Sequence, residues 1–112
     1  MENSEHYERN VKVIDALKEA GANMAAPHSI EHHIYSYSKS DFESISKAGE
    51  EHGYLVENSG QYEDENGVFW SQDLTKRVAP VIENIEQQSK EIEAIVNQFA
   101  SDYDGWGTEV EQ

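Results

Sequence analysis

The side chains best suited to chemistry are three neighbouring histidines, His28, His32 and His33, with Glu31 among them and His52 further on. Imidazole ligates zinc, copper and nickel, and a carboxylate beside it completes a metal site or an acid–base pair. On an extended chain His28 and His32 share a face, but four residues at 3.3 Å each set their Cα atoms about 13 Å apart. One ion cannot bridge that span without a bend. His33 points to the opposite face of a regular strand, so the trio does not converge, and a site needs Glu31, His52 or an acid from elsewhere. His32, flanked two residues away on each side by Ile30 and Ile34, is expected to be a partly buried histidine held by a hydrogen bond. The rival is a metal- or small-ligand-binding domain, or a small hydrolase, built on His28, His32 and His33.

Other chemistries find less support. The chain has no cysteine, which removes thiolate nucleophiles, disulfides and cysteine-ligated metals and suits a reducing compartment. There is no G-x-S-x-G, P-loop or G-x-G-x-x-G; Gly105-Trp106-Gly107-Thr108 lacks the basic residue and following helix of a phosphate cradle. Its glycines are expected to let the backbone turn beside a packed indole. Carboxylates are so frequent that neighbours arise by chance, whereas an acid–base pair needs environments that drive two pKa values apart. No catalytic residue, cofactor or metal is assigned.

The elements that position these residues follow from periodicity. Tyr7, Val11, Ile14 and Leu17 recur at helical spacing, predicting a first helix from Ser4 to Ala20 with Gly21 as its stop. After Pro27, Ile30, His32 and Ile34 alternate with Glu31, His33 and Tyr35, predicting a half-buried strand. Ser40 and Glu43 read as a capping box for a second helix, about Asp41 to His52, with Gly53 as C-cap. Tyr54–Asn58 and Gly67–Gln72 predict a hairpin whose long polar connection carries an acidic tip, Glu63-Asp64-Glu65. Pro80 opens a long third helix through Ala100, striped by Val81, Ile85, Ile92, Ile95 and Phe99. About 22 residues give it roughly 33 Å, against about 17–20 Å for short strands, so one end should overhang the sheet. A turn at Gly105 to Gly107 and a last strand ending near Val110, an edge strand, close the chain.

This order predicts a single α+β domain over residues 1–112: a ferredoxin-like βαββαβ sandwich with an additional N-terminal helix. Right-handed crossovers place the second and third helices on one face. No apolar run approaches the roughly 20 residues that span a bilayer, and the first residues lack a signal-peptide pattern, so the expectation is a cytoplasmic protein without membrane contact.

Lys and Arg number 8 against 23 Asp and Glu, a net charge of −15. Seven acids and no Lys or Arg lie between Ala48 and Thr75, and six acids and no base follow Lys90. Such a surface repels phosphate backbones, which disfavours direct nucleic-acid binding. It attracts a cationic partner, although charge of this kind also serves plain solubility. Surface groups are therefore the candidate site: Glu63, Asp64 and Glu65 at the hairpin, with Glu31 and His33 on the polar side of the first strand.

Two segments, Ile30-Glu31-His32-His33 and Tyr103-Asp104-Gly105-Trp106-Gly107-Thr108, together resemble the RraB family, the regulators of ribonuclease E activity. The resemblance extends through the Ser40-Asp41 helix start, His52-Gly53-Tyr54 and the Gly67 hairpin, over roughly residues 5 to 110. It implies a ferredoxin-like fold, no catalytic activity, and a protein inhibitor that binds ribonuclease E or a related RNA-processing protein, altering RNA turnover. The partner region it implies is basic, which matches the charge. The sequence stops at Gln112 without the long Asp/Glu run that follows the motif in enterobacterial members, which implies weaker binding or another target if that run adds affinity. A homo-oligomer formed through an open sheet face is the third alternative.

Overall fold

In the computed structural model, which describes residues 3–110, the chain runs α1 (Tyr7–Glu19), β1 (His28–Ser36), α2 (Lys39–Glu51), β2 (Leu55–Asp64), β3 (Gly67–Val78), α3 (Ile82–Asn97) and β4 (Asp102–Gly107). The strands form one sheet in the order β2-β3-β1-β4, with every neighbouring pair antiparallel. The expected alternation in β1 is present: His28, Ile30, His32, Ile34 and Ser36 are buried, and the residues between them are half-buried.

The buried face of β1 divides the core into two clusters. Ile34 packs with Ile45 of α2, Leu74 of β3, and Ile92, Ile95 and Val96 of α3. Ile30 packs with Ile14 and Leu17 of α1, Ile85 of α3 and Trp106 of β4. Because Ile30 and Ile34 share one side of the strand, all three helices lie on the same side of the sheet.

Several boundaries differ from the periodicity reading. Helix α1 starts at Tyr7 and not Ser4, whose backbone and side chain both bond Glu86 instead. The N-cap of α2 is Ser38, whose hydroxyl accepts from the Asp41 amide at 3.1 Å; the Ser40/Glu43 box lies inside the helix. The polar stretch before Gly67 is strand and not loop, and the turn shrinks to Glu65 and Asn66, held by Asp64 Oδ1 accepting from the Asn66 amide at 2.8 Å. A β-bulge between Glu57 and Gly60, with Asn58 at φ 51°, hid the strand's alternation.

Helix α3 has 16 residues and begins after Val81, so at 1.5 Å each it spans about 24 Å. β3, with 12 residues, reaches roughly 40 Å at 3.3 Å each. The sheet is therefore the longer element, and helix length no longer forces the expected overhang. Ala100 at φ 49° turns the chain from α3 into β4. The Tyr103–Gly107 segment is itself the strand, not a turn leading into one, and it lies at the sheet edge as expected.

Helices α1 and α2 end alike. Gly21 and Gly53 take φ 84° and 89°, and the following amides reach back to Leu17 O and Gly49 O at 3.0 and 2.9 Å. These are the six-to-one bonds of a Schellman cap, which needs a left-handed residue. Gly53→Ala should therefore lower stability by about 1–2 kcal/mol, read as an earlier urea midpoint with an unchanged far-UV spectrum.

Candidate protein-binding surface

The two motifs singled out in the sequence are neighbours in space. β1 and β4 pair with Glu31 opposite Gly107, His32 opposite Trp106 and Ile34 opposite Tyr103. Thr108 Oγ1 completes the seam by donating to Ser29 O at 2.7 Å. Alternation then splits each motif between two faces with different tasks.

The helix-covered face is structural. His32 is 0% exposed, with Nε2 2.7 Å from Gln88 Oε1 and Nδ1 2.7 Å from Tyr103 Oη. In this arrangement Nε2–H donates to Gln88 and Nδ1 accepts from the tyrosine. Burial pushes the His32 pKa down to about 4, against the hydrogen bond to Gln88 that raises it. Burial likewise raises the Tyr103 hydroxyl.

Trp106 Nε1 donates to Asn10 Oδ1 at 2.8 Å, and Asn10 Nδ2 donates to Glu86 Oε2 at 2.8 Å and Ser89 Oγ at 3.0 Å. The Ser4 amide donates to the other Glu86 oxygen, also at 2.8 Å. Burial tends to raise Glu86, but the hydrogen bonds from Ser4 and Asn10 outweigh it and hold the carboxyl below its usual range. Outside this network, Arg9 donates to Asp104 O at 3.0 Å, across Gly105. A Cβ on Gly105 would meet the Arg9 guanidinium at 3.1 Å, and its φ of 96° suits glycine.

Among the described residues no helix covers the opposite face of the sheet. His33 Nδ1 lies 2.7 Å from Asp73 Oδ1, and Asp73 Oδ2 accepts from Asn58 Nδ2 at 2.9 Å, a chain running across three strands. Glu31 stands beside it, half-buried, near Ser29, Glu57, Arg77 and Glu109 around a shallow cleft. Of the candidate residues, Glu31 and His33 thus share this open face. Glu63, Asp64 and Glu65 are exposed at the hairpin end, where β2 and β3 run past the last β1 pair, Ser36 with Trp70.

Acids from the two base-free stretches meet at Tyr37, whose hydroxyl donates to Asp102 and feels the charge of Asp64. Sequence reasoning placed Tyr35 on this face with Glu31 and His33 and missed Phe69, Tyr62 and Asp73 as its other members. The available signal was the period-two run from Gly60 to Asp64, masked by the bulge.

The histidine-site rival fails on geometry. His28 and His32 are buried on one side, with His28 Nδ1 2.9 Å from Ala26 O, while His33 lies on the other side with Asp73. His52, at the end of α2, pairs instead with Glu91 at 3.3 Å. Among the described residues no three His, Cys, Asp or Glu side chains are grouped to hold a metal ion. None of the described helices is long and apolar enough to cross a membrane.

These features define an α+β domain with a helix-covered face and an open acidic face. The RraB family model, described as Regulator of ribonuclease activity B, matches residues 7–108. The chain belongs to this family. A protein of Idiomarina loihiensis named Regulator of ribonuclease activity B is 35% identical over 89% of this chain and 79% of its own length. Its namesake in Psychromonas ingrahamii is 32% identical over 97% of this chain and 91% of its own length. The Escherichia coli protein of the same name is 32% identical, covering 93% and 76%.

Two consequences follow for stability. The folded pKa of His32 lies below its unfolded 6.5, so its contribution is present above pH 6.5 and is lost as pH falls toward 4. The loss is on the order of 3 kcal/mol, and denaturation midpoints of His32→Gln should fall less steeply over that range than those of the wild type. Asn10→Leu leaves Trp106 Nε1 without its acceptor and Glu86 with one donor fewer, and should cost on the order of 1–3 kcal/mol in urea unfolding.

Proposed function

We propose that this protein binds an endoribonuclease of the ribonuclease E class, or a related RNA-processing protein, and lowers its activity without performing chemistry itself. The carrying observation is the family match over residues 7–108, with relatives named as regulators of ribonuclease activity. The net charge of −15 supports a basic contact surface on the partner and argues against direct RNA binding. The strand order β2-β3-β1-β4 supports a ferredoxin-like sandwich to which α1 is added. A cytoplasmic location is part of the same reading.

A titration against the purified ribonuclease at several salt concentrations tests this, with RNA cleavage followed in parallel. Binding that weakens with salt, together with slower cleavage, is expected. Absence of binding to a folded ribonuclease at low salt would falsify the reading.

Glu63, Asp64 and Glu65, with Glu31 and His33, are the groups proposed to meet the partner. Asp64 also closes the hairpin turn, so the clean variant is Glu63→Lys with Glu65→Lys. It should slow association about tenfold or more in stopped-flow measurements, and an unchanged rate moves the contact away from the hairpin.

A further inference from the structure

The open face carries a row of rings across three strands. Tyr35 of β1 meets Phe69 of β3 edge-on, with centroids 6.1 Å apart, and Tyr62 of β2 stacks on Phe69 at 5.6 Å and 23°. Tyr62 is 50% exposed, and Leu55, on the same face, is 66% exposed. The Tyr62 ring lies back over Gly60, where a Cβ would stand 3.1 Å from its Cε2 and hydroxyl. One side of the ring therefore rests on the sheet while the other faces solvent.

The bulge is what turns Tyr62 outward. Glu57 pairs with Asp73 and Gly60 with Ser71, so the extra residue shifts the alternation by one. Without it Tyr62 would point to the helix side. Asn58, at φ 51°, is held in the bulge by its bond to Asp73.

The charge on this face is predominantly negative. The register places Glu31, Glu57, Asp64, Asp73 and Asp102 on the side of the rings, and Arg77 is the one Lys or Arg at these positions among the described residues. Aromatic rows on sheets also stack nucleic-acid bases, but here the carboxylates oppose a phosphate backbone. A second copy of the chain would set like charges against each other. The remaining complement is a cation with a flat, weakly hydrated head.

We infer that this face is the docking surface for an extended, arginine-bearing segment of the partner, an inference that rests on the ribonuclease-binding reading above. Guanidinium groups stack on the rings of Tyr62, Phe69 and Tyr35 and fork onto Glu31 and Glu57. Lysine provides the charge without the planar fork, so it binds less well.

The experiment uses the whole protein and the whole ribonuclease in a low-salt titration, with Tyr62→Ala, Phe69→Ala and two charge-matched pairs. Glu31→Gln with Glu57→Gln removes charge from the open face; Glu50→Gln with Glu51→Gln removes as much from α2. The ring variants and the open-face pair should weaken binding about tenfold or more, and the α2 pair less than about twofold. Tyr62 is half exposed, so an unchanged thermal transition in Tyr62→Ala separates loss of contact from loss of fold.

In a second arm, amide NMR of the whole protein follows a short peptide of alternating Arg and Ser and its Lys counterpart. The Arg peptide should bind several-fold more tightly and shift the amides of Tyr35, Tyr62 and Phe69. If wild type fails to bind the ribonuclease, the regulatory reading falls and this inference with it. If wild type binds and the open-face variants bind equally well, the docking surface is overturned while the regulatory reading stands. Single-stranded RNA shifting the same amides, or a dimer in light scattering that Tyr62→Ala dissolves, overturns the occupant.

Discussion

The side chain on which the architecture turns is Asn10. Its carboxamide accepts from Trp106 in β4 and donates to Glu86 and Ser89 in α3, joining the additional helix to an edge strand and the longest helix at one buried point. An unmade bond there leaves a desolvated polar group, so the network admits α1 in one position only. That position lies on the side already occupied by α2 and α3. The other side of the sheet stays open because the first helix is anchored away from it.

Strand β1 serves both sides through simple alternation. His32 gives its two ring nitrogens to Gln88 and Tyr103 inside the protein, while His33, the next residue, faces Asp73 on the outside. Adjacent imidazoles thus do unrelated work. Burial keeps His32 uncharged over the ordinary pH range, and both of its ring nitrogens are already engaged inside the core, which makes it a packing residue. The histidine cluster that looked most like chemistry is half core and half surface.

For a protein that acts by contact, such one-sidedness has a use. The helices satisfy the hydrophobic requirement of the sheet from one side, and the second side is released to carry acids and rings at β-sheet spacing. The bulge at Asn58 extends the ring-bearing surface onto β2 by reversing the direction of Tyr62. Acids distant in the chain, Asp64 and Asp102, gather around Tyr37 at the hairpin end, so the charge belongs to a face and not to a segment.

Local chemistry carried much of this in legible form. The alternation of β1, the glycine stops of α1 and α2, and the absence of converging histidines depend on residues within a few positions of one another, and reading them requires no partner. The two family motifs were likewise visible as short strings. What remained hidden depended on distant residues: Ser4 leaving α1 for Glu86, the strand character of the polar stretch before Gly67, and the pairing of the two motifs across β1 and β4. The sequence by itself therefore determined the α+β class, the acidity and the two faces of β1, because periodicity and composition are local properties. Tertiary structure alone decided which face α1 covers and that Tyr62 joins Phe69 on the open side, because buried hydrogen bonds and strand register exist only once remote segments meet.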